Sequence, residues 1–196
     1  MTVTSISNSV QRLHQLGWQP GAWMHDDWWT QRELAQWQTS YQRYPACRPG
    51  IDKLILQHHG FELAALPGAL NTQQQVLLSL EPRFTQLIIA LGVIALNCPD
   101  HLLMKACRQA LMPHIDERDC DQLLALHHGW SRSEHAVPAD TLTNTALGIG
   151  TRWWLRDASD CPVSRMLAMQ LPRITDKAIA IPENAVNGLI RIGRFL

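Results

Sequence analysis

Charge is scarce in this sequence. Charged residues make up 17% of the chain, against about a quarter in ordinary soluble domains. What charge exists is balanced, with Lys+Arg and Asp+Glu both at 17 and a pI near 7.1. No basic field is present to hold phosphates, which excludes nucleic acid as the main partner. Long apolar runs are missing as well. The longest, Leu87 to Leu96, is about half of the ~20 residues needed to span a bilayer. The first residues carry no basic stretch followed by an apolar run, so no secretory signal is expected. Cysteine is sparse and odd in number. Cys98 and Cys107 sit among apolar neighbours, which argues for buried thiols in a reducing compartment, not a disulfide framework. Together these features place the expected site of action in the cytoplasm, without direct membrane insertion.

Motifs that carry chemistry are equally thin. Gly148-x-Gly150 follows no strand and lacks a further glycine, so it is not a phosphate loop; close helix packing is the expected role of Gly148. Cys98, His101 and Cys107 form one cluster of metal-binding residue types, and Cys120, His127 and His128 another. Neither has the paired spacing of a structural zinc site. His58-His59-Gly60 and His127-His128-Gly129 read as histidines in a last helical turn before a capping glycine. No nucleophile elbow occurs, and the acidic clusters Asp26-Asp27 and Asp116-Glu117-x-Asp119 read as helix caps. The expectation is a non-catalytic protein with no catalytic residue, no metal and no cofactor.

What the chain does have is helical periodicity. Hydrophobic residues make up 46%, and they recur at spacings of three and four between prolines. Val10, Leu13 and Leu16 mark a first helix. Asp26 or Asp27 is placed to cap a second, with Leu34, Trp37 and Tyr41 on one side. Ile51, Leu54, Ile55 and His58 form a third stripe. Asn71 or Thr72 caps a helix with Val76, Leu77 and Leu80, and Pro82 opens the apolar run to Leu96, the expected central helix. Pro99 to Pro113, Asp116 to Gly129 and Leu142 to Trp154 read as further helices. Pro162 and Pro182 open the last two, the final one with Val186, Leu189 and Ile190 inward. The expected fold is all-α: a compact single-domain bundle of about eight to nine short, proline-delimited helices over 1–196. A minor seam, if there is one, falls at the loop 60–71.

Tryptophan is the one residue type in surplus. Five of the eight, Trp18, Trp23, Trp28, Trp29 and Trp37, lie within twenty positions, more than one helix edge buries. Trp is enriched at the centres of protein interfaces. Trp23, Trp28 and Trp29, with Asp26 and Asp27 at the rim, are therefore the candidate partner-binding residues. Of Trp153 and Trp154, adjacent helical positions about 100° apart, one is expected inside and the other at solvent or a partner.

The order of these segments resembles the SctK accessory proteins of type III secretion systems, the group containing YscK, PscK, MxiK and OrgA. Trp18-x-Pro20-x-Ala22-Trp23-Met24-His25 is similar to that family's opening in the YscK branch. Leu66-Pro67 with the Gln-rich helix start and Leu91-Gly92-Val93 resembles its central segment. Pro138 to Trp154, Cys161 and the Leu171-Pro172 stop resemble its last third. The stretch Cys98 to Gly129 matches only as helices, and 49–59 departs from the pattern. The resemblance implies a cytoplasmic sorting-platform component recruited to the cytoplasmic face of the inner membrane. Its implied partners are an SctQ-like pod protein, an SctD-like inner-membrane ring protein through its cytosolic domain, and indirectly the ATPase-spoke complex. A secretion chaperone or regulator, and a small helical enzyme, are the competing readings.

Overall fold

The computed structural model describes residues 7–30, 33–60, 66–131, 136–158, 161–175, 181 and 183–196. Among them the fold is all-α, with eleven helices, some short 3-10 turns and no strand. The chain forms two compact units, one from 1–82 with 160–173 and the other from 83–159 with 174–196. Residues 61–65, in the loop where a seam was expected, lie outside the described residues, as does Pro182.

The first unit contains α1 (Asn8–Trp18), α2 (Ala35–Arg43), α3 (Arg48–His58), α4 (Thr72–Ser79) and α10 (Pro162–Ala168). Ser7 caps α1 by accepting the Val10 N–H, and Val10, Leu13, Leu16 and Gly17 form its buried face. Asn71 caps α4 in a reciprocal box with Gln74, which satisfies two otherwise orphaned N–H groups. Pro162 opens α10 as expected. In α3 the buried set is Ile51, Asp52, Ile55 and Leu56. The expected stripe through Leu54 and His58 is thus rotated, and Leu54 is exposed. Gly60 follows α3 in the left-handed region, φ 65°, where glycine bears no Cβ penalty. Asp26 and Asp27 do not cap α2. They open a separate 3-10 turn, Asp26–Trp28, and α2 begins only at Ala35.

The second unit contains α5 (Phe84–Leu96), α6 (Asp100–Leu103), α7 (Lys105–Leu111), α8 (Glu117–Leu126), α9 (Ala139–Asp157) and α11 (Ala185–Gly193). Nine of the thirteen residues of α5 are buried, on all sides of the helix, which makes it the centre of this unit. The single helix expected from Pro99 to Pro113 is broken into α6 and α7, with Met104 extended between them. Asp116 caps α8 by accepting the Asp119 N–H. Gly129 does not cap it, because α8 ends at Leu126 and runs into extended backbone at His127. His127 instead places Nε2 2.9 Å from the Asn97 side-chain oxygen. Asn97, in the left-handed region, ends α5. In α11 the inward residues are Val186, Leu189 and Ile192, so Ile192 takes the place expected for Ile190.

Trp153 and Trp154 are both buried, against the expectation that one faces outward. The reason is that α9 has neighbours on two sides. Trp154 meets Phe84 edge-on at 5.1 Å, while Trp153 donates its indole N–H to the Glu183 carbonyl at 2.9 Å. Arg156 secures the same stretch by donating to the Ile181 and Glu183 carbonyls. Asp157 accepts the Ala185 N–H at 2.7 Å and is held below the usual carboxylate range chiefly by Arg156.

Close packing between α5 and α9 rests on Gly92 and Gly150, not on Gly148. A Cβ at Gly92 would fall on the Ala146 carbonyl, and one at Gly150 on the Ile88 carbonyl, whereas a Cβ at Gly148 meets nothing within 4 Å. Gly92→Ala and Gly150→Ala should each force the two helices apart and cost about 1–3 kcal/mol or more. Gly148→Ala should gain about 0.5–1 kcal/mol from the better helix former. Urea denaturation of the three variants checks this, and a stable G92A would refute the packing account.

Candidate interaction surface

The sequence-predicted residues lie on the 3-10 turn of the first unit and on its flanks, where most of their polar groups already have internal partners. Trp29 is 4% exposed and packs against Tyr41 at 5.4 Å. It is a core residue, and the expected surface loses it for that reason. Trp23 is half-buried and donates its indole N–H to the Leu16 carbonyl at 3.0 Å. Trp28, also half-buried, donates to the Leu171 carbonyl at 2.9 Å. Asp27 accepts the Arg173 backbone N–H at 3.2 Å, and its own N–H donates to His25 Nδ1. Asp26 is exposed and accepts from the Gln38 amide at 3.3 Å.

The aromatic surface that does face outward is elsewhere in the unit. Trp37 on α2 and Leu54 on α3 are 39% and 42% exposed. They look across a groove of about 680 Å³ lined also by Leu34, Gln36 and Gln57. Leu34 is buried beneath them. Glu33 and His58, also in the lining, approach to 3.3 Å. An open trough with an aromatic and an aliphatic wall suits the apolar face of a partner helix. Trp37 was expected inward with Leu34 and Tyr41. Only Leu34 and Tyr41 are buried, while Trp37 is exposed, which helical spacing alone does not reveal.

A second hollow, of about 400 Å³, has Trp18, Pro45 and Pro49 in its lining together with Tyr41, Arg48 and Asp52. Asp52 is a buried carboxylate that the apolar pattern around Ile51 and Ile55 conceals. Its Oδ1 accepts the Gly21 N–H at 3.0 Å and its Oδ2 the Tyr41 hydroxyl at 3.3 Å. Arg48 lies over the Tyr41 ring at 5.5 Å and donates Nε–H to the Tyr41 carbonyl at 3.0 Å. Burial pushes the Asp52 carboxyl above its ordinary range, against the opposing pull of Gly21, Tyr41 and Arg48. Burial likewise pushes the Tyr41 hydroxyl up, with the Asp52 charge adding to it. The role of the two groups is to tie the Gly21 turn, α2 and α3 together.

The second unit has an outward patch of its own. Leu103, Met104 and Met112 are exposed. Met104, Arg108 and Met112 stand at i, i+4 and i+8, joined by continuous hydrogen bonds of the helical type (Arg108 N to Met104 O, Met112 N to Arg108 O). Arg108 pairs with Asp121. Flexible thioethers of this kind suit adaptable protein contacts. Leu103 and Ala106 are exposed, while Leu102 and Cys107 beside them are buried.

Among the described residues no group of three or more His, Cys, Asp or Glu is placed to hold a metal ion. None of the single helices there is long and apolar enough to cross a membrane. Residues 11–173 match a family model described as type III secretion system subunit, and the chain belongs to that family. No curated protein and no solved structure matches it.

The Asp52 geometry gives a test. Asp52→Ala leaves the Gly21 N–H and Tyr41 hydroxyl without an acceptor and should cost about 1–3 kcal/mol. Asp52→Asn retains an acceptor for Gly21 and should cost less. Because the folded-state carboxyl is raised, its favourable contribution is present at low pH and is lost as pH rises through that raised value. The stability of Asp52→Asn measured across the acid range should lack this fall; an unchanged pH profile would contradict the assignment.

Proposed function

We propose that this type III secretion system subunit is an SctK-type accessory protein of the cytoplasmic sorting platform, a non-catalytic adaptor. It links an SctQ-like pod protein to the cytosolic domain of an SctD-like inner-membrane ring protein. Through the pod it connects indirectly with the ATPase spokes, and it acts in the cytoplasm at the inner face of the membrane. Membership of the family supports the setting.

The observation that carries the adaptor reading is that each compact unit exposes an apolar surface of its own. Trp37 and Leu54 do so in the first, and Leu103, Met104 and Met112 in the second. An adaptor needs two contacts that are used together, and aromatic and Met side chains are enriched in such contacts. The N-terminal candidates narrow accordingly. Asp26, Trp23 and Trp28 are not in the lining of that groove, and Trp37 becomes its aromatic anchor.

The experiment is affinity purification of the tagged chain with the pod protein and the ring protein's cytosolic domain, in pairs. Wild type should retain both. Trp37→Ala with Leu54→Ala should weaken one partner by roughly tenfold or more and spare the other. Met104→Ser with Met112→Ser should do the reverse, with both variants keeping wild-type helicity and melting temperature. Retention of neither partner by wild type would defeat the adaptor reading.

A further inference from the structure

The turn that carries Trp28 is strapped to residues 169–173 by three hydrogen bonds. His25 donates its backbone N–H to the Met169 carbonyl at 2.8 Å. Trp28 donates its indole N–H to the Leu171 carbonyl at 2.9 Å. Asp27 accepts the Arg173 backbone N–H at 3.2 Å. Behind this strap stands His59, just past the end of α3. Its ring meets the Trp28 ring edge-on, with centroids 4.8 Å apart and planes at 88°.

His59 Nε2 is buried and has no hydrogen-bond partner among the described residues. In the Nδ1–H tautomer protonation puts an N–H at Nε2 with no acceptor among the described residues, and in either tautomer it places a charge beside an indole edge. Among the described residues the charged groups around the ring do not compensate. His58, with its ring 5.3 Å away, and Arg173 on the strap both act against a cation at His59. Glu33 faces His58 at 3.3 Å, and Asp27 is directed to the Arg173 backbone and to His25.

We propose that His59 makes the strap acid-releasable: protonation expels the ring from Trp28 and opens the bonds to residues 169–173, while the rest of the unit stays folded. This inference does not depend on the adaptor reading. In the closed strap, burial chiefly lowers the His59 pKa from 6.5 to about 4. The closed form binds fewer protons than the open one between those values. It is therefore fully favoured above pH 6.5 and loses ground as pH falls from 6.5 to about 4. At pH 5 the open-to-closed ratio should exceed its value at pH 8 on the order of 30-fold. The strap ends at Arg173, the last residue of this unit.

The test follows the indole N–H resonances of the ¹⁵N-labelled chain from pH 8 to pH 5, with Trp28 assigned through its NOE contacts to the His59 ring. Trp23, bonded to Leu16, and Trp153, bonded to Glu183, are internal references. The Trp28 resonance should move to the position of a free indole while Trp23 and Trp153 stay in place. In His59→Gln that pH dependence should vanish. Three outcomes overturn the proposal: all three indoles moving together, Trp28 unmoved across the range, or the same movement in His59→Gln. If His59→Gln does not fold, the comparison of the three indoles in wild type decides alone.

Discussion

Where α5 crosses α9, backbone meets backbone. Ordinary helix pairs stand 8–10 Å apart because side chains separate them. Here Gly92 lies on the Ala146 carbonyl and Gly150 on the Ile88 carbonyl, so nothing separates them at either contact. The rest of the second unit is arranged around that crossing. With α9 against it on one side and α11 on another, most of α5 is buried, in keeping with a sequence that is apolar nearly all round. The same arrangement gives both Trp153 and Trp154 a wall to pack against.

The first unit is organised differently, by polar ties among aromatic residues. Indoles are large apolar bodies with one donor, and the donor normally needs a partner once the ring is covered. Trp23 and Trp28 meet that need through backbone carbonyls, and Tyr41 through the buried Asp52. These ties explain how a segment with so many aromatic residues and so little charge folds onto itself. They also explain why density of Trp in the sequence is a poor guide to surface. Trp18 and Trp37, at the edges of the cluster, are the exposed ones.

The helices could be read from the sequence wherever a local signal fixed them. Asn71 and Asp116 cap as their side chains dictate, Pro162 begins a helix, and the run to Leu96 is the buried centre. Errors arose where tertiary packing chose between local options. The 3-10 turn at Asp26 replaced a helix start, Met104 broke a helix, and Asp52 took a buried place for which its apolar neighbours were poor predictors. Gly148 and Gly150 differ by two positions on one helix, and only the partner helix decides which of them is needed. The candidate surface was the least readable part. Exposure of Leu54 follows from the rotated buried face of α3, and that of Trp37 from which part of α2 its neighbours cover, and a single sequence holds little information on either.

The interleaving of the two units bears on how the chain emerges during synthesis. The first unit lacks α10 and the strap until residue 173 has been made, and the second lacks α11 until later still. Vectorial domain-by-domain folding, the usual protection of a nascent chain, is therefore closed to this protein. The apolar α5 is complete about forty residues before α9 begins and about ninety before α11, the two helices that cover it, and through the first interval it has neither.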